Sequence, residues 1–200
     1  MIEIDVSRSP KEWHSTLFGK ADKNDFVIFY DDDDSYIWFT TQYTQFLIGI
    51  GGFEVAPIYG RMVKSLKSFL YQVNLCLPVG YRVQAISHAL YDLLLNFETE
   101  PEARIIIWND ADYLFKKNKK AFVEIFDSMI VASYGNRLGR TTIKEDGTPY
   151  KVDQRNIFFF KSENKAEVMD ILNTEYYQPY EEIYKKIEFN IVTLKSISDK

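Results

Sequence analysis

At 200 residues with 46% hydrophobic content, the chain can bury a sizeable core, as one large domain or as a domain with a substantial addition. A formal net charge of −5 and a single cysteine, Cys76, exclude a uniformly basic phosphate-binding surface, an internal disulfide and any multi-cysteine metal site, while leaving room for a local basic patch or a basic protein partner. No apolar run approaches the roughly 18 residues that span a bilayer, and no basic-then-apolar leader opens the chain, so the expectation is a cytoplasmic protein with no membrane partner.

Ile2, Ile4 and Val6 alternate with Glu3 and Asp5 as in a half-buried strand, and Ser9-Pro10-Lys11-Glu12 then supplies a capping box for a short helix to about Gly19. Phe26 to Tyr30 and Tyr36 to Thr40 are β-branched and aromatic, which predicts a hairpin with Asp31 to Asp34 at its tip. Gln42 to Ile50 fits helix or strand. Gly49, Gly51 and Gly52 mark a boundary between an N-terminal α+β extension, residues 1–52, and the remaining domain, residues 53–200.

Phe53 to Ile58 reads as a strand whose Pro57 favours an end or an edge. From Arg61 the period turns helical, with Met62, Val63, Leu66, Phe69, Leu70 and Val73 in one stripe. Pro78 to Tyr81 breaks that helix, and a second runs from about Gln84 to Phe97. Arg104-Ile105-Ile106-Ile107-Trp108 has no polar alternation, the pattern of a central parallel strand covered on both faces. Asn109 or Asp110 caps a short helix, and Asn118 to Ser133 forms a longer one that Gly135 stops. Asp146-Gly147 suits the turn of a protruding hairpin, and Asn156 to Phe160 is a third buried strand. The pattern from Ser162 is helical, broken at Pro179. The expected fold is α/β: a small three-stranded parallel sheet with covering helices, the N-terminal extension, and C-terminal helices.

On the second helix, Ile86, Ala89, Leu90, Leu93, Leu94 and Phe97 share one face, while His88, Tyr91, Asp92 and Leu95 share the other. An imidazole, a phenol, a carboxylate and a leucine together suit a contact surface; burial of that face beneath another part of the chain is the plainer alternative.

Gly60-Arg61-Met62-Val63-Lys64-Ser65-Leu66, the break at Leu77-Pro78-Val79-Gly80-Tyr81 and the helix segment His88-Ala89-Leu90-Tyr91-Asp92-Leu93-Leu94 resemble the barstar-like ribonuclease inhibitors. Ile105 to Leu114, with Asp110-Ala111-Asp112-Tyr113-Leu114, is similar to a strand and turn of the longer bacterial members, so the resemblance covers about residues 53–162. His88 stands where that family has Asp, and Tyr91 where it often has Trp. The resemblance implies an inhibitor or immunity-type protein with a partner-binding face of Tyr81, His88, Tyr91, Asp92 and Leu95. Its partner would be a basic protein, such as a ribonuclease or toxin, with no direct nucleic-acid contact, no catalytic residue, no cofactor and no metal. A structural or regulatory binding module is the alternative.

A further alternative is a degenerate P-loop-like nucleotide-binding protein. An apolar strand ending in Asp110-Ala111-Asp112 has the look of a Walker B element. The glycine-rich Gly49-Ile50-Gly51-Gly52-Phe53 lacks the Lys-Ser/Thr that grips phosphate, so the expected role of Asp110 is a helix cap. Asp31 to Asp34 lack the spacing of a calcium loop and read as a solvated turn, and His14 has no second ligand near it in sequence.

Overall fold

The computed structural model describes residues 2–19, 25–77, 87–95, 97, 101–138, 142–143, 146–173 and 187–196. In chain order the elements are β1 (Ile2–Asp5), α1 (Pro10–Gly19), β2 (Asp25–Tyr30), α2 (Asp33–Ile50), β3 (Phe53–Tyr59), a 3₁₀ turn (Gly60–Met62), α3 (Leu66–Cys76), α4 (Ser87–Leu95) and β4 (Ala103–Asn109). There follow α5 (Ala111–Lys117), α6 (Lys119–Leu138), β5 (Thr142–Ile143), β6 (Pro149–Tyr150), β7 (Asp153–Lys161), a second 3₁₀ turn (Ser162–Asn164), α7 (Lys165–Asn173) and β8 (Phe189–Lys195).

The fold is α/β, and its sheet has six strands, all parallel, in the order β1-β8-β2-β7-β4-β3. The three strands expected from the sequence do lie side by side, with Arg104 to Trp108 in β4 between β3 and β7, but the sheet continues through β2, β8 and β1. The expected three-stranded sheet is therefore too small. Strand β8 was missed because the segment from Ser162 reads as helical throughout. Its own alternation is nevertheless clear, with Asn190, Val192 and Leu194 buried and the residues between them half-buried.

Two apolar layers clothe the sheet. Phe26, Ile28, Ile105, Ile107, Ile157 and Phe159 face Trp13 and Leu17 of α1 and Phe39, Tyr43 and Leu47 of α2. Their neighbours along the strands, Val27, Phe29, Ile106, Trp108, Phe158 and Phe160, face helices α3 to α7. Helices on both faces explain why β2, β4 and β7 read as unbroken apolar runs.

The hairpin expected at Tyr36 to Thr40 is instead the second turn of α2. Composition favoured a strand there, but Tyr36, Phe39, Tyr43 and Leu47 recur at helical spacing and are buried together, and Asp32 caps the helix by accepting a hydrogen bond from the Ser35 amide at 2.9 Å. Gly135 does not stop α6. It is buried within that helix, which runs on to Leu138. Met62 falls in the 3₁₀ turn and is 68% exposed instead of lying in the stripe. Pro57 sits in β3, an edge strand of the sheet, as its missing N–H requires. Leu66 is the first residue of α3 because the Ser65 and Ser68 hydroxyls reciprocally cap its start.

At the opposite end of the strands a buried polar seam joins sheet to helix. Asp25, fully buried, accepts hydrogen bonds from the Asn156 amide at 2.8 Å and the Ser133 hydroxyl at 2.9 Å, and burial pushes its pKa up to about 7. A carboxyl whose pKa is raised on folding stabilises the fold below its unfolded value of 3.8, and this contribution is lost as pH climbs to about 7. Asn at this position can accept the Asn156 bond and donate to Ser133. Asp25→Asn should therefore raise the stability measured by urea denaturation at pH 8, by up to about 4 kcal/mol, with the gain shrinking steadily toward pH 5. A gain that is the same at both pH values would show that ionisation of Asp25 is not its source.

Candidate functional site

Chain direction across the sheet reverses between β2 and β7. From β2 the chain crosses on the face of α2 to the edge strand β3, whereas from β7 it crosses on the opposite face, that of α7, back to β8. In an open α/β sheet, ligands bind at the carboxyl ends of the strands at such a switch point. Here that edge bears the acidic segment after β2, the end of β4, the 3₁₀ turn after β3 and the end of β7.

Asp110 is the centre of this edge. It is the one non-glycine with positive φ among the described residues (φ 47°, ψ 44°), a conformation that Asp tolerates better than most side chains. It occupies the position before α5, but its carboxylate makes no cap bond, contrary to the sequence expectation. Oδ1 accepts from the Tyr30 hydroxyl at 3.0 Å and Oδ2 from Arg61 Nε at 2.9 Å, while its backbone N–H donates to the Tyr36 hydroxyl at 3.1 Å. Tyr30 and Tyr36 stack at 4.0 Å between ring centres. The carboxylate therefore ties β2 to β4 across the intervening β7, and to the turn after β3. Burial foremost pushes both phenols well above their ordinary pKa, so both stay protonated, Tyr30 donating to Asp110 and Tyr36 accepting from its amide, and the Asp110 charge raises the pKa of Arg61.

Gly60 makes this arrangement fit. A Cβ there would lie 2.1 Å from the Asn109 carbonyl oxygen and 2.3 Å from that of Asp110, both backbone atoms with little freedom to give way. The absence of a side chain lets the turn lie against the end of β4 and brings Arg61 onto Asp110.

Beside the junction is a cleft of about 360 Å³ lined by Arg61, Asp110, Asp112, Tyr113, Lys116, Lys117, Lys161 and Glu163. Asp112 is buried and accepts from Asn164 Nδ2 at 3.1 Å; burial first and the neighbouring Asp110 second raise its pKa. Lys116 pairs with Glu163 at 2.6 Å, and Lys161 with Asp33 at 3.1 Å.

The acidic segment does not form an open anion cradle. Asp32 accepts from both the amide and the hydroxyl of Ser35, which hold its pKa down, and Asp33 and Asp34 occupy the first turn of α2. The positive end of that helix dipole is thus already faced by carboxylates of the chain itself. Among the described residues no group of three or more His, Cys, Asp and Glu side chains is placed to hold a metal.

The face expected to bind a partner lies elsewhere. Tyr81 and the His88 side chain fall outside the described residues. On α4, Asp92 is exposed, while Tyr91 and Leu95 are half-buried and pack against the core. Sequence reasoning picked out Asp110 but missed its partners Tyr30, Tyr36 and Arg61, which the topology alone brings together. The Lys116-Lys117-Asn118-Lys119-Lys120 run was a signal for the basic side of the cleft that went unused.

No family model and no curated protein matches the sequence. Solved structures do resemble it. The ORC2 protein of Aeropyrum pernix, in ADPNP–ADP complexes, aligns over 92% of this chain with a TM-score of 0.52 and 12% identity. Drosophila ORC bound to AT-rich DNA and Cdc6, and the same assembly on GC-rich DNA, each align over 96% with TM-scores of 0.54 and identities of 13% and 16%. This chain spans 45% of the first matched chain and 29% of each of the others. Identities this low bear on the fold. They overturn the barstar resemblance, because these neighbours share the architecture of nearly the whole chain, whereas the barstar resemblance rested on short motifs and on a sheet half the observed size. The inhibitor and immunity reading goes with it, as does a basic protein as sole partner to the exclusion of nucleic acid, since the Drosophila neighbours are complexes with DNA and Cdc6.

The close approach at Gly60 predicts that Gly60→Ala lowers the melting temperature by several degrees or more, since the clash is with backbone. Gly49→Ala, on α2 with open space around its Cβ, should be neutral or slightly stabilising through helix propensity of up to about 1 kcal/mol. Parallel thermal melts of the two variants check this.

Proposed function

We propose that this chain is a degenerate P-loop-like module, non-enzymatic, that serves as a binding subunit in a larger assembly. The observation that carries this reading is that the strand, turn and helix at the sheet's switch point present side chains of the chain itself where a nucleotide-binding fold grips phosphate. The segment from the end of β2 into the first turn of α2 contributes four carboxylates, Asp31 to Asp34, and no lysine, and the Asp32 side chain occupies the Ser35 amide at the helix start. At an effective dielectric near 20, unit like charges about 4 Å apart repel by about 4 kcal/mol, which opposes a triphosphate at this turn. The Asp110 carboxylate, at the strand end where a nucleotide-binding fold would hold Mg²⁺ through water, is engaged by Tyr30 and Arg61.

A second reading, retained nucleotide binding, is favoured by the ADPNP–ADP complexes of the ORC2 neighbour and by the cations lining the cleft. The Drosophila neighbours' complexes with DNA and Cdc6 make nucleic acid and a protein subunit the partner classes proposed for this chain. No helix among the described residues is long and apolar enough to cross a membrane. A cytoplasmic location is part of the proposal, supported by the single cysteine of the sequence, which suits a reducing compartment.

Thermal unfolding with and without MgATP separates the two readings. A ligand at 100 times its dissociation constant adds about 2.7 kcal/mol, which for a chain of this size moves the melting temperature by roughly 5 to 10 °C. We expect a shift within about 1 °C in millimolar MgATP; a rise of several degrees would favour retained nucleotide binding.

A further inference from the structure

The acidity of the chain is not evenly spread. Residues 60–67 and 111–120 carry seven of its 24 basic side chains, Arg61, Lys64, Lys67, Lys116, Lys117, Lys119 and Lys120, against a single acid, Asp112, which is buried. All seven basic residues are exposed. The two segments meet where Arg61 reaches Asp110 just before α5 and where Arg61, Lys116 and Lys117 line the same cleft. Among the described residues Lys64, Lys67, Lys117 and Lys120 make no ion pair, so the positive charge of this face is largely uncompensated.

The placement works against helix stability. Lys67 lies in the first turn of α3, and Lys119 and Lys120 in the first turn of α6, with no acidic residue in either turn. A cation at the positive end of a helix dipole is unfavourable by a few tenths of a kcal/mol or more, and the usual choice there is Asp or Glu. Two helices that begin near the same sheet edge both reverse that preference, and both add the positive end of their dipole to the lysine charges.

Aromatic side chains flank the cations. Tyr59, 66% exposed at the end of β3, adjoins the segment that carries Arg61, and Tyr113 lines the cleft with Lys117 Nζ 4.7 Å from its ring centre. A cationic surface spread over two segments, with one exposed and one half-buried aromatic ring beside it, suits a polymer of regularly spaced phosphates whose bases can stack. We propose that the surface formed by Arg61, Lys64, Lys67, Lys117, Lys119 and Lys120, with Tyr59 and Tyr113, binds single-stranded nucleic acid. The proposal rests on the reading of the chain as a binding module and gives its nucleic-acid partner a location.

The test is fluorescence anisotropy of a labelled 20-nucleotide oligo-dT with the full chain, in 50 and 200 mM NaCl. Four phosphate contacts on a single strand would weaken binding roughly 50-fold between these salts. Lys117→Gln/Lys120→Gln should weaken binding at least tenfold at 50 mM NaCl and lower the slope of log affinity against log salt by about 1.4. Lys11→Gln/Lys151→Gln, the same charge change at exposed sites outside the surface, should leave both nearly unchanged. Tyr59→Ala should weaken binding without altering the salt slope. Equal melting temperatures would establish that all variants are folded. No binding at 50 mM NaCl, equal losses in the two double variants, or lysine-dependent binding to phosphatidylserine vesicles without binding to the oligonucleotide would each overturn the proposal. None of these bears on the MgATP result: a MgATP shift with oligonucleotide binding intact removes the closed-site reading alone, and the reverse outcome removes this proposal alone.

Discussion

The carboxyl edge of the sheet depends on one side chain, Asp110. Strand β4 ends there, the backbone turns through a left-handed conformation, and α5 leaves in a direction that the Tyr36 hydroxyl fixes through the Asp110 amide. Hydrogen bonds to a charged group contribute about 1.5 to 3 kcal/mol each, enough to offset the roughly 1 to 2 kcal/mol that a left-handed residue costs. Because the same carboxylate holds Tyr30 from β2 and Arg61 from beyond β3, the ends of three strands are fixed relative to one another by contacts of about 3 Å. The close approach permitted by Gly60 belongs to the same constraint, since Arg61 reaches Asp110 only if the turn lies against β4.

The two ends of the sheet handle polarity in opposite ways. At the amino end, Asp25, Ser133 and Asn156 form a buried hydrogen-bonded network, and Arg104 is buried against Glu54 at 2.7 Å while donating to the Leu94 carbonyl. Groups so enclosed fix register, because a slip would leave a buried charge without its partner. At the carboxyl end, beyond the enclosed Asp110 and Asp112, the charges are more exposed and paired across elements, as in Lys116 with Glu163 and Lys161 with Asp33. Pairs of that kind add little to stability, so these side chains can rearrange around a ligand while the Asp110 junction beneath them stays fixed.

Much of the fold was legible where period and composition agreed. The unbroken apolar run of β4, the capping box of α1 and the inward stripe of α6 each follow from local rules. Tyr36 to Thr40 misled because its side chains favour a strand while their spacing, once Tyr43 and Leu47 are counted, fits a helix. The sheet was underestimated because β8 was read as a continuation of the helical pattern from Ser162, and because β2 was assigned to a hairpin and so to a separate unit. Of the candidate site, the acidic strand end was visible in Asp110-Ala111-Asp112. Its partners were not, since Tyr30 and Arg61 lie 80 and 49 residues away and only the crossover topology brings them there. The short motifs behind the barstar resemblance describe a helix-turn-helix rhythm that many α/β chains share, and such rhythm carries no information on strand order.

The edge strand β3 has one more consequence. The side-chain amide of Gln72, on α3, accepts from the Tyr59 N–H at 2.7 Å and donates to the Tyr59 carbonyl at 3.2 Å, and the Cys76 thiol reaches the Pro57 carbonyl at 3.7 Å. Together with the N–H that Pro57 lacks, these contacts occupy the outward backbone groups of Pro57 and Tyr59, the carboxyl-terminal part of β3, that an incoming chain would use as a template. The carboxyl-terminal part of this border is thereby closed to β-augmentation, and so to the sheet growth that leads toward cross-β aggregates. A protein that docks at Pro57 to Tyr59 must recognise side chains instead of extending the hydrogen-bond ladder.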